Sequence, residues 1–164
     1  MRSIWQFFRS IKYGIENLII WFLVIWQDRD WDHWFLYKII YFKLKRMENL
    51  QRKYGNCVDN EKLADQIKVA ALLLKRLMDD DYLTNVLKPH EKKWGESKFI
   101  WTPKPDDEEY SLLNIKVEKA NTEEEIEQES KERLRLYNHA RGLKQQDLDM
   151  VFKHMRKYIE GWWD

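Results

Sequence analysis

Helical periodicity with few helix-breaking residues is the feature that most constrains this chain. Its 164 residues include only 5 glycines and 3 prolines, and the alternation typical of strands is nearly absent. Apolar residues instead recur three and four positions apart, as at Leu63, Ile67, Ala70, Leu74 and Leu77. The pattern predicts an all-α fold, an antiparallel bundle of about four to five helices, with an irregular or acidic insertion around 83–142.

The predicted helices cover residues 3–25, 31–53, 60–78 and 147–162, with a short continuation at 82–88. Asp30 and Asp147 are the expected N-caps of the second and last helices, and Gly55 marks the end of the second. Pro89 and residues 94–105 indicate an irregular arm, or a short hairpin around Gly95. Residues 18–26 are apolar on every side, so we expect protein to cover the first helix.

Charge and length bound the function class. Charged residues make up 35% of the chain, which argues against a membrane protein, and the net charge of +1 gives no general attraction to nucleic acid. The length of the chain predicts a single domain, 1–164. Residues 106–132 carry 11 acidic and 3 basic side chains. This composition predicts a solvated helix or a mobile insertion at 106–142. The single cysteine, Cys57, cannot form an internal disulfide, which fits a reducing compartment.

The run from Trp26 to Trp34 is the densest candidate site. It holds three aspartates, one arginine and three tryptophans at the junction of two apolar segments. Arg29, Trp31 and Trp34 could form a site for an anion and a stacked ring at the start of the second helix. The alternative is that the tryptophans belong to the core and the charged residues are caps and surface pairs.

Two neighbouring faces of the second helix are apolar, so we expect this helix to be central. The stripe along one face is predicted to be Leu36, Ile39, Ile40, Met47 and Leu50, and Lys43 interrupts it. Asp32 lies on the same face, but eleven residues of helix separate the two by about 16 Å, so they cannot pair. Lys43 therefore forms a salt bridge with a neighbouring helix or contacts a ligand. The basic residues of this helix fall around it rather than on one face, which favours a solvated surface over nucleic-acid binding.

The chain lacks the known motifs of catalysis and metal binding. Four histidines show no metal-ligand spacing, and an EF-hand loop starting at Asp28 fails at His33 and Ile39. Gly-rich phosphate loops and nucleophile elbows are also missing. We therefore expect no metal, no cofactor and no enzyme activity, although paired carboxylates of a hydrolase would leave no signature.

Several stretches together resemble a large family of small helical proteins encoded by tailed bacteriophages. They are residues 25–36, 42–47, 73–77, 80–82, 149–152, 154 and 159–164, the last ending Gly161-Trp162-Trp163-Asp164. Such proteins are similar to viral sponge proteins, which sequester cyclic ADP-ribose isomers or cyclic oligonucleotides, the second messengers of the Thoeris and CBASS defences.

The resemblance implies a phage anti-defence protein that acts in the host cytoplasm, as a homo-oligomer, and binds a nucleotide messenger without cleaving it. The ligand-binding residues would be Arg29, Asp30, Trp31, Asp32, Lys43, Arg46, Lys75, Arg76, Tyr82, His154 and Trp163. Two alternatives stay open. One is a protein-interaction module that inhibits a host factor through the acidic residues 106–132, or a phage accessory protein. The other is an enzyme that degrades a nucleotide.

Overall fold

The computed structural model describes residues 4–26, 28, 32–55, 59–105 and 107–162. The helices are α1 (Ile4–Ile25), α2 (His33–Tyr54), α3 (Asn60–Asp79), α4 (Tyr82–Trp94), α5 (Glu123–Tyr158) and a 3-10 helix, η1 (Ile159–Trp162). Two strands, β1 (Ser97–Lys104) and β2 (Asp107–Val117), form an antiparallel hairpin. The mainly helical character predicted from the sequence is confirmed, and the hairpin is an addition to it.

The chain divides into two compact units. The first unit consists of Met1–Met78 and Met150–Asp164, and the second consists of Asp79–Asp149. The first unit therefore holds α1, α2, most of α3, the end of α5 and η1. The second holds α4, the hairpin and the longer first part of α5. Asp80, in the acidic run at the first boundary, adopts a left-handed conformation with φ of 49°.

Helix α3 provides most of the core of the first unit. Its buried residues recur at the spacing of one helix face and are Ala64, Ile67, Ala70, Ala71, Leu73, Leu74 and Leu77. The predicted seam is confirmed at Ile67, Ala70, Leu74 and Leu77, since these four are almost fully buried. Val151 of α5 and Trp162 of η1 are buried in the same unit.

Helix α2 is central in the first unit, as predicted. Phe42 meets Trp21 of α1 edge-on at 4.9 Å, and the Gln51 amide donates to the carbonyl of Trp162 at 2.9 Å. The predicted core stripe of α2 is confirmed at Met47, which is buried, but is wrong at Leu36 and Leu50, which are more than half exposed. The buried residues are Phe35, Leu44, Met47 and Glu48, since η1 and α3 contact the side of α2 that carries Leu44 and Glu48.

Helix α1 matches its predicted bounds but not its predicted cover. Within the part of α1 that the structure describes, only Val24 is buried. Trp5, Leu18 and Leu23 are each more than 70% exposed. The first unit therefore covers only the side of α1 that faces α2. No helix in the described residues combines the length and the apolar character needed to cross a membrane.

The second unit is built on contacts between α4, the hairpin and α5. Trp94, Val117 and Ala120 form a buried cluster, against which Ile115 packs. Gly95 ends α4 with φ of 84°, and a Cβ there would lie 2.8 Å from the Cβ of Glu118. Glycine therefore permits the reversal from α4 into β1.

The irregular or acidic insertion expected around 83–142 is wrong for most of its length. Helix α4 continues past Pro89 to Trp94, and the arm of 94–105 is largely strand β1. The hairpin turns between Lys104 and Asp107 rather than around Gly95. The strand signal was weak because apolar residues stand next to each other in both strands, at Phe99 to Trp101 in β1 and at Leu112 and Leu113 in β2.

The last helix begins earlier than predicted because a capping box starts it. The Glu125 carboxylate accepts from the backbone N–H groups of Asn121 and Thr122, and the Thr122 hydroxyl accepts from the N–H of Glu125 at 3.2 Å. The expected N-cap, Asp147, lies inside α5 instead. Its carboxylate is buried and accepts from the Tyr82 hydroxyl at 2.5 Å.

Glu132 of α5 holds the end of α4 in the second unit. Its carboxylate accepts from the Lys93 ammonium at 2.7 Å, from the Trp94 indole at 2.8 Å and from the Gln128 amide at 3.0 Å. The hydrogen bond from Lys93, followed by those from Trp94 and Gln128, lowers the pKa of Glu132 to about 2 from an ordinary 4.5. These donors thus stabilise the charged form of the Glu132 carboxylate in the folded protein.

We predict that this contribution disappears in acid. Because the pKa is lowered in the folded state, the stabilisation is complete above pH 4.5 and is lost as the pH falls through about 2. Glu132→Gln removes the charge, so wild type should exceed the variant in free energy of unfolding at pH 6, and the gap should shrink at pH 3. Urea unfolding at both values measures it. A gap independent of pH would contradict the assignment.

Candidate functional site

A basic pocket on α2 is the best candidate for a ligand site. It is open to solvent on one side, has a volume of about 320 Å³, and is lined by Lys43, Arg46, Met47, Asn49, Leu50, Lys53 and Tyr54. The volume is at the lower end of the range for small-molecule sites. Three of the lining residues are cationic and none is acidic, so the pocket favours an anion.

Helical spacing brings these side chains together. Lys43, Met47, Leu50 and Tyr54 follow one another at intervals of three and four residues, which places them on one stripe of α2. Arg46, Asn49 and Lys53 lie beside that stripe with the same spacing. Lys43 and Lys53 are separated by about 15 Å along the helix axis, which is a suitable span for a ligand with more than one phosphate.

Arg46 is held in place by α1. Its guanidinium donates to the Asn17 side-chain oxygen at 3.2 Å and lies 6.0 Å from the centre of the Trp21 ring. A guanidinium that is already held in place loses less conformational entropy when an anion binds. Its planar donors also match the oxygens of a phosphate. Arg46 is therefore the best-positioned cation of the pocket.

Tyr54 adds a flat ring at the end of the stripe. Its side chain is 61% exposed, and the Lys53 ammonium lies 5.0 Å from the ring centre. An exposed aromatic ring beside a cation can stack on a nucleobase while the cation binds a phosphate. Met47 and Leu50 supply the apolar floor and edge between the charged groups.

Other basic residues of α2 are neutralised on its opposite side. Glu48 is buried and accepts from Lys45 at 2.6 Å and from Arg52 at 3.3 Å. Burial raises the pKa of Glu48, but the hydrogen bonds and charges of Lys45 and Arg52 outweigh it and hold the pKa below the ordinary value. Arg52 also pairs with Glu61 and Asp65 of α3. Lys45 and Arg52 therefore join helices, whereas Lys43, Arg46 and Lys53 line the pocket.

A pocket in the second unit is less suited to an anion. It has a volume of about 310 Å³, and Glu91 and Glu96 are among its lining residues together with His90 and Arg133. His90 Nε2 lies 3.0 Å from Glu129, which also pairs with Arg133 at 3.2 Å. Glu129 therefore contacts both His90 and Arg133, and Glu91 and Glu96 add negative charge to the lining. The described residues contain no group of three or more side chains arranged to hold a metal ion.

The structure brings together only part of the set of residues predicted from the sequence. Lys43 and Arg46 share the basic pocket. Lys75 and Arg76 are exposed on α3 and do not line it. Tyr82 belongs to the second unit, where it donates to buried Asp147. Four further predicted residues, Arg29, Asp30, Trp31 and Trp163, lie outside the described residues.

Asp32, His154 and Trp34 have structural roles. Asp32 is the N-cap of α2, and His154 Nε2 lies 2.8 Å from the carbonyl of Gln66 in α3. The Trp34 indole donates to the carbonyl of Met78 at 3.1 Å. The alternative hypothesis for Trp26 to Trp34, in which the tryptophans pack and the charged residues are caps, thus gains support at Asp32 and Trp34. Ligand contacts by Asp32 and His154 remain predictions. The expected cap, Asp30, is not among the described residues.

Sequence reasoning missed Lys53 and Tyr54 as members of the site. Their signal was present, because each continues the spacing that starts at Lys43 and Arg46. The residues of the pocket become a site only because the rest of the first unit covers the other sides of α2.

Comparison of the chain with protein-family models, with curated proteins and with solved structures finds no match in any of the three.

We predict that Asp32 acts through the start of α2. Its carboxylate oxygen accepts from the backbone N–H of Trp34 at 3.0 Å. Asp32→Ala should lower the free energy of unfolding by about 1 kcal/mol, and Asp32→Asn by only a few tenths, because asparagine is also a good N-cap. Urea unfolding of the three proteins measures both changes. Equal losses in the two variants would show that the charge, rather than the cap, matters.

Proposed function

We propose that the protein is a phage anti-defence protein that binds a nucleotide second messenger in the basic pocket of α2 and sequesters it intact. The ligand class is a cyclic ADP-ribose isomer or a cyclic oligonucleotide. The observation that carries the proposal is the pocket itself, where Lys43, Arg46 and Lys53 lie beside Tyr54 and the described lining residues include no carboxylate. The resemblance of residues 25–36 and 42–47 to the phage family agrees with it.

The chemistry of the pocket suits binding without turnover. Its cations can bind phosphate oxygens, and its tyrosine can stack on a base. Among the described residues that line the pocket there is no histidine, cysteine, serine or carboxylate to act as a nucleophile or a general base. A ligand held here would be released unchanged, which is the defining property of a sponge protein. A sponge acts by lowering the free concentration of the messenger in the host cytoplasm.

We predict that binding raises the melting temperature and depends on the pocket cations. A ligand at 100 times its Kd stabilises the folded protein by about 2.7 kcal/mol, which corresponds to about 5–10 °C for a chain of this size. The experiment screens cyclic ADP-ribose isomers and cyclic di- and trinucleotides. Any bound ligand is then released by heat and identified by chromatography.

The matched variants separate the pocket from general charge. Lys43→Ala with Arg46→Ala should weaken binding by at least about 100-fold, because each charge-assisted hydrogen bond contributes about 1.5–3 kcal/mol. Lys62→Ala removes an exposed lysine of α3 that lies outside the pocket and should leave the affinity unchanged. Equal binding by all three proteins would refute the site, and recovery of an altered nucleotide would make the protein an enzyme.

The second candidate is a module that inhibits a host protein, and exposed aromatic residues of the hairpin favour it. Trp101 pairs with Leu113 across the strands, and the two are 66% and 45% exposed. Phe99 lies on the same face and is 62% exposed. This candidate predicts that no nucleotide binds and that a host protein co-purifies with wild type. Trp101→Ser with Leu113→Ser should abolish that co-purification, whereas Lys43→Ala should not.

A further inference from the structure

One side of α1 is a large apolar surface that the described part of the first unit leaves exposed. Trp21 and Asn17 face α2, where they contact Phe42 and Arg46. The opposite side carries an apolar row, here called the α1 face. Its members are Phe8, Ile11, Ile15, Leu18, Phe22 and Trp26, each at least 43% exposed.

The α1 face is continuous along the whole helix. Its residues follow one another at intervals of three and four, so they form a single stripe about 30 Å long. Their exposed fractions correspond to on the order of 700 Å² of apolar surface. Soluble monomers rarely expose a contiguous apolar patch larger than about 300–600 Å². A standard interface buries about 800 Å² of each partner, so the α1 face with its immediate neighbours is large enough for one.

Charges on the flank of the stripe are self-complementary. Lys12 and Glu16 lie on one side of the α1 face, one turn apart, and their intrahelical contact is long at 3.8 Å. Two α1 helices that pair antiparallel about Gly14 bring the same flanks together. Lys12 of each copy then lies opposite Glu16 of the other. A two-fold pairing therefore satisfies both charges twice.

A membrane surface fits this helix less well. Helices that lie on membranes carry many lysines and arginines on the polar face, which bind anionic headgroups. In α1 the charged residues are Arg9, Lys12 and Glu16, with a net charge of only +1. The polar residue Asn17 is engaged with Arg46 of α2.

We propose that the α1 face is the interface of a homodimer, in which α1 of one chain packs antiparallel on α1 of a second copy. The sequence predicts a homo-oligomer without locating its interface. This pairing buries the part of the α1 face from Phe8 to Phe22, which the first unit leaves exposed. It does not depend on the basic pocket, which lies on α2.

Sedimentation of the purified full chain tests the interface. Wild type should sediment at about 41 kDa, which is twice the chain mass of 20.4 kDa. Leu18→Asp with Phe22→Asp should give a monomer, since two charges would enter the apolar stripe of each copy. Leu134→Asp is the matched control, because Leu134 is a comparably exposed leucine of α5, and it should leave the dimer intact. Circular dichroism should show equal helical content in all three.

Charge exchange tests the antiparallel register. Lys12→Glu and Glu16→Lys should each weaken the dimer about tenfold, because each replaces two attractions by two repulsions. The double exchange should restore the affinity to within about threefold.

Crosslinking gives an independent test in a Cys57→Ser background. Ile15→Cys lies near the two-fold axis and should form an intermolecular disulfide, whereas Ile4→Cys lies near the far end and should not.

Three results would overturn the proposal. The first is a monomer at every concentration of wild type. The second is a dimer that survives Leu18→Asp with Phe22→Asp. The third is a chain that stays monomeric in solution but floats with vesicles of phosphatidylcholine and phosphatidylglycerol, and loses this binding on the same substitution, which would assign the α1 face to a membrane surface.

Discussion

The buried carboxylate of Glu48 is the constraint on which the arrangement of α2 depends. A buried charge must be paired, and Lys45 and Arg52 supply the partners. Arg52 continues the network to Glu61 and Asp65 of α3, so one side of α2 is both neutralised and joined to its neighbour. Three other cations of α2, Lys43, Arg46 and Lys53, line a pocket whose described residues include no carboxylate. Glu48 thus engages Lys45 and Arg52 on one side of α2, while the pocket lies on the other side.

Many apolar side chains of the described residues remain exposed in the fold. Helix α3 packs its face almost completely, because alanines at positions 64, 70 and 71 allow close approach of its neighbours. In contrast, α1 and the hairpin leave tryptophans such as Trp5 and Trp101 largely exposed. The hydrophobic effect makes such surfaces costly to maintain in water, so they indicate contacts with other molecules. The pocket of α2 and the α1 face are therefore separate consequences of how this unit distributes its side chains.

The sequence predicted those features of the fold that depend on residues close together in the chain. The seam from Ile67 to Leu77 and the end of α2 at Gly55 could be read directly, since burial periodicity and helix termination are encoded within a few residues. The start of α5 was also encoded locally, in Thr122 and Glu125, but the acidic composition around them obscured it. The face of α2 that is buried could not be read in this way. It is decided by distant partners, above all Trp162, and this displaced Leu36 from the predicted core and hid Tyr54 from the predicted site.

The central claim is that the cations of α2 bind a nucleotide phosphate. Titration calorimetry at low and high salt tests it most directly, using the nucleotide that most raises the melting temperature. We expect one bound nucleotide per chain, weaker affinity at high salt because phosphate contacts are screened, and no measurable binding by the variant that carries both Lys43→Ala and Arg46→Ala. Affinity that is unchanged by salt and by the double substitution would contradict the claim and move the binding site away from this pocket.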